Sequence, residues 1–252
     1  MPDEYELLVD LHRGGERQGP GGTEQTLRAI ELAGLDRDAP LKIADLGCGT
    51  GAAAKVLARS LRGEVLAVDT AEPFLSDLRA AVQRDQSLAG ITTLACSIDA
   101  LPFDDGELDV IWSEGAVYAI GFEAGVSRWI RYLRPGGTLV VSELTWLTGA
   151  RPAELEEHWT RHYPEVDVAS AKIGVLERHG YRPEAYFVLP SQCWLQNYYE
   201  PLEARFDEFL ERHDHSADAS AVVAEHREEI ELYRAYSQDF GYGVYVASRP
   251  RG

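Results

Sequence analysis

The 252-residue chain has no apolar run approaching the roughly 20 residues that a membrane-spanning helix needs, which argues against a membrane partner. Methionine occurs once, at the initiator position. Cysteine is scarce: Cys48, Cys96 and Cys193 are odd in number and far apart. That spacing excludes a disulfide framework and a zinc site, and no metal is expected; buried, inert thiols are the simpler reading. Basic residues are also short, 24 Lys and Arg against 42 Asp and Glu, giving a formal charge of −18. Nucleic-acid binders neutralise phosphates with Lys and Arg, so this balance, with no basic run, speaks against nucleic acid and for plain solubility. The acidic start Met1-Pro2-Asp3-Glu4-Tyr5-Glu6 has no basic-then-apolar signal pattern, and a cytoplasmic location is expected. No internal repeat or low-complexity tract interrupts the chain.

What is present is a globular composition, 45% hydrophobic and 26% charged, long enough for one large domain. Residues 3–13 read as a short helix, followed by a glycine-rich loop from Arg13 to Gly22 and a helix over about 24–34 that Thr23 can cap. Strand-like runs at 41–46, 64–68, 92–96, 108–112 and 138–143 alternate with helical stretches at 52–62, 73–83 and 123–133, the last stopped by Pro135-Gly136-Gly137. That alternation predicts βαβ units and a parallel sheet. Beyond it, helices are expected at 151–163, 169–179, 201–213 and 220–236, and strands at 181–189 and 242–248.

The most informative stretch is Asp45-Leu46-Gly47-Cys48-Gly49-Thr50-Gly51, where a strand turns into a helix. Glycines allow a tight turn and close approach to a ligand, and the helix N-terminus offers N–H groups to an anion. With Ala52 the stretch also satisfies the dinucleotide pattern G-x-G-x-x-G/A. Asp45 discriminates. A pyrophosphate over this turn would be repelled by its carboxylate. S-adenosylmethionine (SAM) instead places a carboxylate there for the backbone N–H groups and an ammonium for Asp45. Asp69, eighteen positions after Gly51, sits where a ribose diol would lie in either case. A glycine turn beside a surface Asp is the bland alternative.

Together with Leu101-Pro102-Phe103 and Leu133-Arg134-Pro135-Gly136-Gly137, these motifs resemble the Rossmann-like (class I) SAM-dependent methyltransferases, most closely the small-molecule type of ubiquinone and menaquinone biosynthesis. The resemblance is clear over about residues 40–145. Arg17–Gly21 and Trp112–Tyr118 resemble a narrower bacterial set of the same kind. The resemblance implies a mostly parallel seven-stranded sheet with helices on both faces, its last strand antiparallel, and a small helical cap. It further implies that Gly47, Gly49 and Gly51, with Cys48 packed in the turn, approach the methionine part of SAM, and that Asp69 and Thr70 meet the ribose. The family's adenine-binding acid is replaced by Ser97, so Ser97 and the Ile98 backbone are expected there before Asp99, which could equally cap a turn.

For chemistry, residues after the strand ends are the natural candidates, because strand C-termini face the ligand in this architecture. Glu114 could act as a base, bind a substrate cation or hold SAM, or be a solvated loop carboxylate; Tyr118, four residues on, could share its pocket. Glu143 could face the site or pair with a nearby Arg. Trp146, Trp194 and Tyr198 could wall a substrate pocket or simply pack the core. His158 shares a helical face with His162 and could reach the substrate, although ordinary surface histidines carry more weight than a metal site. Arg17, Gln18 and Gly19 in the N-terminal loop are expected to close over the methionine end.

The resulting expectation is a single domain over residues 1–252: an N-terminal lid at 1–35, a SAM-binding core at 40–145, a cap at 147–178 and C-terminal strands and helices at 180–252. It would methylate a small molecule, with a homodimer compatible. An NAD(P)-dependent oxidoreductase using the same turn and a non-catalytic SAM-binding protein are the rivals.

Overall fold

The computed structural model describes residues 3–251; Met1, Pro2 and Gly252, which fall within the boundaries expected above, lie outside the described residues. The chain opens with α1 (Glu4–His12), closed at its start by a reciprocal capping box between Asp3 and Glu6. Next come α2 (Thr23–Leu32), β1 (Leu41–Leu46), α3 (Ala52–Ser60), β2 (Gly63–Asp69), α4 (Glu72–Arg84) and β3 (Ile91–Ala95). β4 (Leu108–Glu114), α5 (Phe122–Trp129) and β5 (Leu133–Trp146) complete the alternating half.

The second half contains α6 (Ala153–His162), β6 (Asp167–Val168), α7 (Ala169–Arg178) and β7 (Arg182–Val188). It continues through α8 (Ser191–Trp194), a π-helical turn at Leu195–Tyr199, α9 (Glu200–Glu203), α10 (Phe206–Arg212), α11 (Ala217–Tyr236) and β8 (Phe240–Ser248).

The sheet runs β3-β2-β1-β4-β5-β8-β7, with the two-residue β6 pairing alongside the end of β5. β1 to β5 are mutually parallel, and β8 lies antiparallel between β5 and β7. Alternation along each strand supplies two cores. Ile43, Val65, Val110, Trp112 and Val140 face the layer that includes α2, α3 and the 190–236 helices. Ala44, Val68, Ile111, Leu139 and Val141 face α5 and α7, where Phe122, Val126, Trp129 and Leu176 meet them. A strand buried on both faces reads as a continuous apolar run, which is why β1 and β4 stand out in the sequence.

Several boundaries differ from the sequence expectation. β5 begins at Leu133, because Leu133 pairs with Leu108 and the Pro135-Gly136-Gly137 stretch is taken into the strand. Gly136 N–H donates to Arg249 O at 2.8 Å and Arg249 N–H to Gly137 O at 2.8 Å, so the turn is bonded rather than a loose stop. Gly22, not Thr23, is the N-cap of α2 and supplies no side chain; Thr23 is already helical. The expected helix over 201–213 is broken into α9 and α10, and β6 was not foreseen because two residues give no period to read.

Candidate functional site

The C-terminal ends of β1, β2 and β4 converge on a cavity of about 540 Å³, within the roughly 300–1,000 Å³ usual for small-molecule sites. Its floor is the turn after β1. Gly47 and Gly49 have left-handed φ values of 73° and 54°. A side chain at Gly47 would meet the Ala116 Cβ at 2.2 Å, and one at Gly49 would meet the Gln18 amide oxygen at 2.2 Å. Both glycines are required by close approach as well as by backbone angle.

The N–H groups of this turn already have partners. Gly47 and Cys48 donate to Val68 O, Gly49 donates to the Asp69 carboxylate at 2.8 Å, and Thr50 donates to Gln18 Oε1 at 2.9 Å. Gln18 thus occupies the acceptor position that sequence reasoning assigned to a ligand carboxylate. Its Nε2 donates to Gly15 O at 3.1 Å, tying the N-terminal loop to the turn. Asp69 also accepts from Ala71 N–H at 2.8 Å, which fixes the carboxylate at the end of β2.

Asp45 lies at the opposite side of the turn and is 1% exposed. Its Oδ2 is buried without a hydrogen-bond partner. Burial first, and the nearby Glu114 carboxylate second, push its pKa up to about 8. An orphaned buried carboxylate oxygen lining a cavity calls for a cation or a donor.

Glu114 is saturated. Its oxygens accept from Arg17 Nη1 at 2.8 Å, Thr26 Oγ1 at 2.7 Å and Trp112 Nε1 at 2.9 Å. The Arg17–Glu114 pair is mostly buried, with side chains 8% and 17% exposed, and it latches the N-terminal loop onto the end of β4. Tyr5 adds a second fastening through its hydroxyl to Thr70 Oγ1 at 2.9 Å, and Arg13 a third to Asp77 at 3.0 Å.

The remaining wall comes from distant segments. Tyr118 follows β4 and is half exposed, Tyr198 lies on the π-helical turn, and His12, His226 and Glu229 come from α1 and α11. Ser97 and Ile98 also line the cavity, and Trp129 Nε1 donates to Ile98 O at 2.8 Å.

Residues 44–141 match the family model described as "Methyltransferase domain". Residues 44–141 are thus similar to a methyltransferase domain. A malonyl-[acyl-carrier protein] O-methyltransferase of Methylovorus sp. is 31% identical over 122 residues, 46% of this chain and 41% of that protein. The chain spans less than half the length of the first curated relatives it matches. Among solved structures, a SAM-dependent methyltransferase from Geobacter sulfurreducens in complex with S-adenosyl-L-homocysteine superposes with a TM-score of 0.81 at 18% identity, covering 98% of both chains. A structure described as the [4+2]-cyclase SpnF superposes with a TM-score of 0.78 at 18% identity, covering 98% of this chain and 93% of that one. At such identities the superpositions establish the fold.

The structure separates the residues singled out from the sequence. Arg17, Gln18, Gly19, Asp45, Gly47, Cys48, Gly49, Asp69, Thr70, Ser97, Ile98, Glu114, Tyr118 and Tyr198 lie around one cavity. Gly51 stands behind it, where a side chain would strike Leu78. Asp99 turns to the surface, accepting from Ser97 Oγ at 2.6 Å and pairing with Arg128 at 3.7 Å. Trp146 packs on Phe240 under the Arg151 guanidinium, and Trp194 stacks on Tyr233 at 4.5 Å; both are core aromatics. His158 sits on α6 against His162 and Glu228, away from the cavity.

Glu143 pairs with Lys172 at 3.4 Å, both nearly fully buried, rather than with an arginine or the cavity. The expected cap over 147–178 contributes no lining residue; α1 and the 195–236 region form the cover. Sequence reasoning passed over His12, His226 and Glu229. The last two stand three apart on α11 and so share a face, a signal that was legible but attached to no motif.

Among the described residues no helix is long and apolar enough to cross a membrane, and no group of three or more His, Cys, Asp or Glu side chains is placed to hold a metal.

Proposed function

We propose that the protein binds SAM and transfers its methyl group to a small-molecule acceptor. The observation that carries this reading is the buried, unpartnered Oδ2 of Asp45 at the end of β1, a residue that lines the same cavity as Asp69 at the end of β2. An ammonium satisfies the first carboxylate and a ribose diol the second. A dinucleotide pyrophosphate would be repelled by Asp69 and would offer no cation to Asp45. Phe74, Ala71 and Ile98 offer an apolar slot for the adenine.

SAM, when bound, supplies an already activated methyl group, so the protein's part is to orient the acceptor and exclude water. The latched N-terminal loop and α1 cover the cofactor side. Glu114, with three donors spent on it, serves in this reading as the anchor of that cover rather than as a base. Tyr118 borders the acceptor end. A charge of −18 supports a non-nucleic-acid substrate, and the free thiols Cys48, Cys96 and Cys193 are compatible with a reducing, cytoplasmic compartment. A homodimer stays an option that sedimentation decides.

Calorimetry with S-adenosylhomocysteine, NAD and NADP tests the reading. Binding of the first alone is expected. Asp69→Ala should weaken it by about 1.5–3 kcal/mol, the scale of hydrogen bonds to a charged group. Preferential binding of NAD or NADP would replace the methyltransferase reading with an oxidoreductase one. Binding of S-adenosylhomocysteine without methyl transfer to any component of a metabolite extract supplied with labelled SAM would leave a SAM-binding protein.

A further inference from the structure

The end of the cavity remote from the glycine turn is lined by His12, Tyr198, His226, Glu229 and Tyr118. The hydrogen bonds behind these side chains decide what they present. His12 Nδ1 lies 2.9 Å from Leu8 O. A carbonyl only accepts, so the ring proton is on Nδ1 and Nε2 is left with a lone pair. Tyr198 Oη is 3.1 Å from that Nε2 and donates its hydroxyl proton to it, leaving oxygen lone pairs on the tyrosine. His226 Nδ1 likewise lies 2.8 Å from Val222 O, to which it donates. Glu229 Oε1 accepts from Tyr199 Oη at 2.7 Å, and Oε2 remains an acceptor.

Tyr198 and Glu229 therefore present acceptors on this wall. Burial, His226 and Arg205 hold His12 well below its usual range, to about 4, so it stays neutral at neutral pH. Arg205 lies behind the wall and does not line the cavity. The single guanidinium among the lining residues, Arg17, is spent on Glu114, whereas the lining carboxylates are Asp45, Asp69, Glu114 and Glu229.

We propose that this wall, through Glu229 and Tyr198, recognises the protonated nitrogen of a small amine, and that anionic ligands are excluded. A primary or secondary ammonium supplies the two N–H donors that these acceptors require, and its charge is complemented by Glu229. The half-exposed Tyr118 ring at the mouth supplies an aromatic face for the same cation or for the carbon frame beside it. The inference rests on the cofactor reading only in assigning the ligand to the acceptor side; the wall itself is defined without a cofactor.

The test uses three near-isosteric probes: benzylamine, benzyl alcohol and benzoate. Each is titrated by calorimetry into wild-type protein and the Glu229→Gln variant, with and without saturating S-adenosylhomocysteine. Benzylamine is expected to bind at least about tenfold more tightly than benzyl alcohol, with benzoate weakest. Glu229→Gln, whose amide oxygen can still accept from Tyr199, should bring benzylamine down by about tenfold, to the level of the alcohol. Circular dichroism confirms that the variant is folded, and the ranking in wild type decides the matter if it is not.

Benzoate binding as tightly as benzylamine overturns the proposal. So does amine preference that survives in a folded Glu229→Gln variant, or absence of benzylamine binding at millimolar concentration. Failure of S-adenosylhomocysteine to bind would overturn the cofactor reading alone, because the amine ranking is then read on the ligand-free protein.

Discussion

At the scale of single residues, burial raises the pKa of two acids that meet different partners. Asp45 holds its proton at neutral pH because burial and Glu114 raise its pKa to about 8. A ligand ammonium placed against it reverses that balance, so binding S-adenosylhomocysteine at pH 7 should release close to one proton. Calorimetry in buffers of different ionisation enthalpy measures this, and Asp45→Asn should abolish it. Glu143 is held instead by Lys172, whose ammonium also lies over the Phe122 and Tyr163 rings at 4.7 and 5.4 Å. Lys172→Met leaves a buried carboxylate without its cation and should cost about 3–5 kcal/mol in urea unfolding, with part recovered by adding Glu143→Gln.

Sequence reasoning located Asp45 and Asp69 because a glycine turn sets the distance between neighbouring strand ends. It could not place Glu143 against Lys172, since that contact crosses from β5 to α7 and leaves no periodic trace. Trp146 and Trp194 were ambiguous for a related reason: a core aromatic and a pocket aromatic have the same neighbours in sequence.

At the scale of elements, β1 to β4 were legible to within two residues, because burial on both faces imposes continuous apolar runs, whereas the start of β5 was hidden by Pro135-Gly136-Gly137. The cover was not. Its lining residues come from α1, the π-helical turn and α11, and the mixed polar faces of these segments resemble solvated helices. The N-terminal segment has the clearest mechanical role. Arg17→Gln and Glu114→Gln should each weaken S-adenosylhomocysteine binding about tenfold, while the double variant should be no worse than either. Additive losses in such a cycle would mean that the two residues act separately. Removing residues 1–20 should abolish binding while the far-ultraviolet circular dichroism of the remaining sheet persists. A truncated protein that binds normally would detach this segment from the site.

Across the whole molecule, two buried groups pull stability in opposite directions as pH rises. The pKa of His12 is depressed to about 4, so its contribution is full above the unfolded value near 6.5 and is lost as pH falls toward 4. Asp45 is raised, so its contribution is full below the usual carboxylate range and is lost as pH rises through about 8. Melting temperatures across pH 3–9 should show Asp45→Asn removing a fall spread over about pH 4–8, and His12→Gln removing a rise over about pH 4–6.5.

The His12–Tyr198 hydrogen bond joins residues 186 positions apart, and α11 lies beyond both. Closing a contact over so long a stretch is slow, and it cannot form on a ribosome until the second half of the chain has emerged. A nascent chain carrying the complete glycine turn and β1 to β5 would thus present a sheet edge at β5 and an open cleft, because β8 and α11 are still unmade. Ligand binding during translation would report the arrival of these late segments, and an early stop codon would silence the site long before it removed the methyltransferase motifs.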